Sequence, residues 1–473
     1  MVSFGIDFGT TNSAGVMLQQ GQVFRLGDDA GRPLPSIVSI DKAHGALTAG
    51  REVWDTQEER LQSGREIIVR SVKGGLGHGQ YWQTAVGIVT AEDVAAKIFE
   101  EISRQVVKRN APPLERAAVT IPIGFSASAR AALRRAARKA GIEISTFVHE
   151  PTAALAKFYK NVRHHRHVAI FDWGGGTLDI SVMRLVQHRV YEIATKGLPK
   201  AGDQIDEAMA RAIHEHEMTK RGTPLSFDEV STRDKDMLRT RCELAKCQMS
   251  ACSETELLLW YAGKQLDFIV TKSWFEHLIA PFVDDAVHQL VQAISEARVN
   301  YEDIGALIII GGTSNLLLLK ERLSNDPRFS TALEYSDSPE WDVAHGAAVV
   351  NHLSGGYEVS DSVGLVLCDG QIHTLVSPGE KAYAKPRTVS LALAEDVGEA
   401  NIVLTKNANG NGSGDIVMQF SVPAGGFDGE RIALSYSITP DLVLDVTAQA
   451  STRAAEDSVR HQYEGLRFAY HVE

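Results

Sequence analysis

FGIDFGTTNS, Phe4 to Ser13, and IFDWGGGTLD, Ile170 to Asp179, read as two copies of one device. In each, a short apolar run reaches an aspartate, the chain turns at glycine, and a threonine follows. Glycine lets backbone amides approach phosphate oxygens closely, threonine adds a hydroxyl donor, and an aspartate beside them would hold waters on a Mg²⁺, which keeps several of its own. One such turn alone is an ordinary strand-ending hairpin. Two matched copies in the same order point to a clasp in which facing hairpins hold a triphosphate from both sides. A third apolar run, ALIIIGGTSN from Ala306 to Asn315, ends in Gly311 and Gly312 and leaves backbone room for a nucleoside. The chain has no GxxxxGK[ST], HExxH or GxSxG, which sets aside Walker-type ATPase, zinc-protease and serine-hydrolase readings.

The 473 residues leave room for about three domains at roughly 150 residues each. Apolar residues at 44% and charged ones at 23% are ordinary globular usage, so neither a disordered nor a fibrous chain fits. With 48 Lys+Arg against 60 Asp+Glu the net charge is −12, which argues against binding nucleic acid or an anionic membrane. Cys242, Cys247 and Cys252 match no CxxC pattern and are expected to be reduced, buried thiols. The N-terminal MVSFGIDFGTTNS carries no basic region or cleavable apolar stretch, and no apolar run approaches the ~18 residues of a membrane span. The expected location is the cytoplasm.

Residues 1–353 alternate short apolar runs with helical stretches, which is α/β organisation; residues 362–473 lose the helical signal and alternate Val, Leu and Ile. The Gly-, Ser- and Asp-containing stretch 354–361 between them reads as a linker. Val94, Ile98, Ile102 and Val106 recur every fourth residue after Thr90, predicting an amphipathic helix with a core-facing stripe and Thr90 as its N-cap. Strands are predicted at Thr388 to Leu393, Asn401 to Leu404, Ile416 to Val422, Ile432 to Ile438 and Leu442 to Ala448, with NANGNGSGD at 407–415 as a turn. Short strands without long helices suggest a β-sandwich. After Ser451 there is room for at most one short helix or strand.

With Asp7, Gly9, Thr10 and Thr11, HEPTAA at 149–154, DWGGGTLD at 172–179, GGTSN at 311–315 and GAAV at 346–349 in this order, the chain resembles the seventy-kilodalton heat-shock chaperone (DnaK-type) family. The resemblance implies a two-lobed actin-like (ribonuclease-H-like) ATPase domain followed by a β-sandwich, ATP and ADP as ligands, Mg²⁺ with K⁺ as a second cation, and a role in the stress response. Position by position, Asp7 and Asp172 resemble the acidic residues that hold hydrated Mg²⁺ and the attacking water, with Asp179 the further acid beside them. Thr10, Thr11 and Thr177 resemble the phosphate-contacting hydroxyls, and Asn12, Gly174, Gly175, Gly176 and Gly202 belong to the same cradle. Lys73 in SVKGGLG is similar to the lysine that meets the γ-phosphate, and Glu150 to the glutamate that positions the water; without the motif each would be an ordinary surface charge. Pro122 and Arg130 resemble residues that couple nucleotide state to the second domain. On the adenosine side, Glu243, Lys246 and Ser250 stand at i, i+3 and i+7, on one helix face, with Gly311, Gly312 and Asn315 opposite.

Several positions depart from the family pattern. Cys247 and Asn315 replace basic residues near the base, which predicts looser nucleotide binding. The linker is polar rather than aliphatic. Thr146 stands where an arginine often contacts J-domain partners, leaving a J-domain co-chaperone in doubt. The helical lid has no counterpart, so a peptide cleft would release quickly. Leu365, Cys368, Leu391, Ile402 and Leu404 are candidates for that cleft, or for core. RHHRH at 163–167 reads as a connecting loop, and Arg130, Arg134, Arg135 and Arg138 as a solvated basic face. The expected function is an ATP-hydrolysing chaperone whose β-domain holds client polypeptide; an ATP-dependent scaffold or switch subunit serving one dedicated protein partner is the alternative, and a sugar-kinase relative a distant third.

Overall fold

The structure, a computed structural model, describes residues 2–329, 332–353, 357–382, 385–395, 397–407, 414–453 and 457–472. The linker positions 354–356 and turn positions 408–413 lie outside these. The chain is a mixed α/β fold with several sheets and divides into two compact units. The first comprises Met1–Ile123, Ala132–Val182 and Ala194–His352; the second comprises Gly124–Ala131, Met183–Ile193 and Leu353–Glu473.

In the first unit the sequence repeat returns as topology. The strand Val2–Asp7 is flanked on one side by Asn12–Gln19 and then Gln22–Leu26, and on the other by Arg116–Ile121 and then Glu143–His149. The strand His167–Trp173 is flanked in the same way by Leu178–Val186 and Arg189–Leu198, and by Ile304–Ile310 and Leu333–Tyr335. On the second side of both sheets the pairing is parallel. These central strands are apolar almost throughout because both faces are covered: Phe4, Ile6, Val168, Ile170, Phe171 and Ile308 are all 5% exposed or less. Each carries its aspartate, Asp7 or Asp172, at its carboxyl end, where parallel α/β sheets place their ligands.

The helix Ala91–Lys108 begins at Thr90, whose side chain accepts from the Asp93 amide while Asp93 caps back onto the Thr90 amide. Its stripe of Val94, Ile98, Ile102 and Val106 is buried to 1% exposure or less, contributing roughly 1.5 to 3 kcal/mol per side chain, so it is core. The helix Pro339–His352 lies on the strand Val2–Asp7, where Ser3 Oγ donates to Ala348 O at 2.8 Å. It also crosses the helix Glu150–Val162 at Gly346; a Cβ there would fall on the Ala153 carbonyl oxygen. The glycine of GAAV is therefore a contact between helix backbones. Among the described residues no helix is long and apolar enough to cross a membrane.

The second unit holds two four-stranded antiparallel sheets. One runs in the order Ile372–Val376, Val363–Val366, Glu399–Lys406, Asp415–Pro423, and the other Arg387–Ala392, Arg431–Ile438, Leu444–Ala450, Val459–Tyr463. All five predicted strands are present, displaced at their ends by one or two residues. Leu365, Ile402 and Leu404 are buried core, Leu391 is half-buried and Cys368 is exposed.

Three expectations are corrected here. The second half of the expected linker is not free chain: Tyr357–Val359 is a strand, paired antiparallel with Phe468–His471, which in turn pairs with Arg189 to Tyr191. Tyr357 and Val359 are buried, and buried Asp361 accepts from Arg467 Nε at 2.8 Å and Asn407 Nδ2 at 2.9 Å. The polar composition hid this pairing because the partner strand lies at the far end of the chain. Second, two strands follow Ser451, Val459–Tyr463 and Phe468–His471, where one element was expected. Third, Arg130 is not solvated: it is wholly buried, donating to the carbonyls of Phe125 at 2.7 Å, Asp441 at 2.8 Å and Leu442 at 3.2 Å.

Candidate functional site

The two glycine turns of the repeat meet in the first unit. A Cβ added to Gly175 would fall on the Thr11 hydroxyl, and one added to Gly176 on the Thr10 hydroxyl. Only glycine permits so close an approach. The first turn is fixed by Ser36, whose hydroxyl donates to Gly9 O at 2.9 Å and whose amide donates to Thr11 O at 2.8 Å. The second is fixed by a Gly174 N to Thr177 O bond of 2.9 Å, by Thr313 Oγ1 donating to Gly174 O at 2.6 Å, and by the Gly202 and Asp203 amides donating to Gly174 O and Gly175 O.

Between the turns is a cavity of about 330 Å³. Gly9, Thr10, Thr11 and Asn12 line it from one hairpin, and Gly174, Gly175, Gly176 and Thr177 from the other. Asp7, Lys73, Glu150 and Asp172 line it as well, and so do Glu243, Lys246, Cys247, Ser250, Gly311 and Gly312. Gly202 and Asp179 are not on its wall. Gly202 accepts from Lys246 Nζ at 3.1 Å, and Asp179 is wholly buried. Asn315 is exposed, its side chain accepting from Lys320 at 3.5 Å, and does not line the cavity. Ser250 lines it from the turn after the helix Thr232–Gln248, which ends sooner than the i, i+7 spacing implied. Of the three nearby cysteines only Cys242 is buried; Cys247 and Cys252 are exposed, because a five-residue interval rotates successive positions off a shared helix face.

Lys73 and Glu150 are not surface charges. Lys73, in the turn Val72–Gly75, is 5% exposed and its Nζ lies 2.5 Å from Oε1 of Glu150, itself 8% exposed at the start of the helix Glu150–Val162. Around this pair stand three further carboxylates. Burial, reinforced by the Glu150 charge, pushes the Asp7 carboxyl up to about 6, although Lys73 and the 2.8 Å hydrogen bond from Thr120 Oγ1 oppose the shift. Asp179 is pushed up to about 8 by the same two causes, and burial with the Glu150 and Asp179 charges holds Asp172 well above the carboxylate range. Burial alone would depress the Lys73 ammonium, but the facing Glu150 and Asp7 carboxylates hold it above its usual value.

Four carboxyl groups stand around one ammonium, and a bound dication would favour their ionised forms. Asp179 Oδ1 accepts from the Ile123 amide at 2.6 Å, while its buried Oδ2 has no hydrogen-bond partner among the described residues. Hard oxygen donors of this kind suit Mg²⁺. Among the described residues no three acidic, His or Cys side chains are grouped to ligate one ion directly.

Lys246 Nζ pairs with Asp206 Oδ2 at 2.6 Å, and Arg70 lies 3.5 Å from Glu243. Burial raises Asp206 to about 7 despite Lys246. Sequence reading missed several participants. Thr120 and Ile123, which hold Asp7 and Asp179, lie inside TIPIGF, and Thr313 inside GGTSN, so their signals were present. Ser36, Arg51 and Trp54 carried none. A second cavity of about 370 Å³ adjoins the first, sharing Thr10, Thr11, Trp54 and Glu243 as wall.

A family model described as Hsp70 protein matches residues 78–375. The chain is also 26% identical over 493 aligned positions to the Chaperone protein HscA homolog of Methylococcus capsulatus (strain ATCC 33009 / NCIMB 11132 / Bath), an alignment covering 96% of this chain and 77% of that one. The chain belongs to the Hsp70 family, a family of chaperones whose members are ATPases.

Proposed function

We propose that the chain is an ATP-hydrolysing molecular chaperone, in which an actin-like, two-lobed ATPase domain (residues 1–353) controls a β-sandwich (residues 362–473) that holds client polypeptide. The observation that carries this reading is the closure of Gly175 and Gly176 onto the Thr11 and Thr10 hydroxyls beside the buried Lys73–Glu150 pair. Thr10, Thr11 and Thr177 donate to phosphate oxygens, and the backbone amides of the glycine turns complete the cradle. Asp7 and Asp172 hold the waters of Mg²⁺, which when bound neutralises charge on the β- and γ-phosphate oxygens. Lys73 stabilises charge on the γ-phosphoryl group, and Glu150 orients the attacking water and accepts its proton.

Family membership supports a chaperone over a dedicated scaffold subunit. Slow turnover is expected, below the roughly 1 to 100 per second of kinases. Pro122 and Arg130 carry the nucleotide state onward. The testing experiment measures phosphate release from Mg·ATP with and without an array of extended apolar peptides. Slow hydrolysis with broad peptide binding is expected; absence of both would refute the reading.

A further inference from the structure

We propose that Ser71 and Asp203 are positioning residues that fix Lys73 against the second phosphate turn, an inference that rests on the nucleotide reading above. The strand Glu66–Arg70 ends at Ser71, whose φ of 53° and ψ of 38° lie in the left-handed region. A side chain other than glycine is uncommon there, and such residues persist only where their surroundings over-determine them. Ser71 turns the chain into Val72–Gly75, a turn in which the Gly74 amide donates to Ser71 O at 3.2 Å. Two residues on, Lys73 is buried against Glu150.

A serine that precedes a helical turn ordinarily caps it, its hydroxyl accepting from the second or third amide. Ser71 makes no such cap. Its Oγ instead donates to Asp203 Oδ2 at 3.0 Å, 132 positions away in sequence. Asp203 is half-buried in the first turn of the helix Gly202–Arg221. Its amide donates to Gly175 O at 2.7 Å, and a Cβ built on Gly175 would stand 3.6 Å from Asp203 Oδ1. A path of hydrogen bonds therefore runs from the backbone that carries Lys73, through Ser71 and Asp203, to the backbone of Gly175. Gly175 is also the residue that closes on Thr11, so the path ties the turn of the ammonium to the place where the phosphate hairpins meet. Because Lys73 acts on the γ-phosphoryl group, an error in this spacing falls on the phosphate that is hydrolysed and spares the two that ADP retains.

The test measures ATP turnover and ADP affinity in the full chain and in its Ser71→Ala, Ser71→Gly, Ser71→Asn and Asp203→Ala variants. Alanine removes the hydroxyl and keeps the left-handed strain, while glycine removes the hydroxyl and relieves the backbone, so that a folded variant without the hydroxyl is in hand. Asparagine tolerates the left-handed conformation, and its amide can donate to Asp203. Turnover is expected to fall about 10- to 100-fold in Ser71→Ala and Ser71→Gly, with ADP affinity changed by no more than about threefold and most of the turnover kept in Ser71→Asn. Joining Ser71→Ala to Asp203→Ala should cost no more than the larger single loss, as two members of one path require. Unaltered turnover in Ser71→Gly overturns the inference, as does an ADP affinity that falls in parallel with turnover. Additive losses in the double variant, or no recovery in Ser71→Asn, overturn it too. An unmodified protein that releases no phosphate from ATP would overturn the hydrolysis reading itself, and the inference with it.

Discussion

Lys73 Nζ stands 2.5 Å from Glu150 Oε1, the two side chains coming from a short turn and a helix start 77 residues apart in sequence and both nearly removed from solvent. Removing one member of such a pair strands the other in low dielectric, at a cost of about 3 to 5 kcal/mol. Lys73→Ala should therefore lower the melting temperature as well as abolish ATP turnover. Glu150→Gln keeps the shape of the site and a hydrogen-bond acceptor for Lys73, so it should cost less stability yet still reduce turnover by about 10²- to 10⁴-fold, with nucleotide affinity changed only a few-fold. Phosphate release alongside calorimetry separates these effects, and normal turnover in Glu150→Gln would remove Glu150 from the mechanism.

The turn-to-turn approach makes a sharper steric prediction. Gly175→Ala or Gly176→Ala places a methyl on the Thr11 or Thr10 hydroxyl, forcing the hairpins apart where the phosphates are expected. Nucleotide affinity should fall by more than tenfold in either variant, with the circular dichroism spectrum unchanged. Tight binding by Gly175→Ala would mean that the turns do not grip the ligand.

Asp179 ties stability to pH. Its folded value of about 8 lies far above the ordinary 3.8, so the folded protein keeps a proton that the unfolded chain releases. The stability this provides is complete below about pH 4 and is lost as pH rises through 8. Asp179→Asn, permanently neutral, should therefore gain on the unmodified protein as pH is raised from 5 to 9 in the absence of ligand. Melting curves across that range check it; a difference that shrinks with rising pH would contradict the burial of this carboxyl.

In the second unit, Leu404 is wholly buried and Ile402 nearly so. Leu404→Ala should destabilise that unit by about 2 to 5 kcal/mol in a denaturant titration. A variant that loses peptide binding with full stability would place Leu404 in a cleft instead of the core.

The repeat was legible because its information is local: an aspartate, glycines and a threonine within ten residues define a turn, and two such turns imply a fold with internal symmetry. The helix after Thr90 and the strands at 401–404 and 432–438 were legible for the same reason, since periodicity needs only near neighbours. What stayed hidden depends on distant partners. Tyr357–Val359 pairs with Phe468–His471, and nothing in YEVSDS announces that company. Arg130 sits in a run of arginines that reads as a solvated stripe, yet its partners are carbonyls of residues 441 and 442. Trp54 reached the site through the placement of one helix, which no local pattern encodes.

Asp7 and Asp172, with the facing hairpins, are proposed to hold a magnesium-bound triphosphate. Calorimetric titration of the protein and of its Asp172→Asn variant with ATP, with and without Mg²⁺, tests it most directly. One-to-one binding that Mg²⁺ strengthens by at least tenfold is expected in the unmodified protein, with loss of most of that enhancement in Asp172→Asn. Equal Mg²⁺ enhancement in both proteins, or no binding of ATP by either, would contradict it.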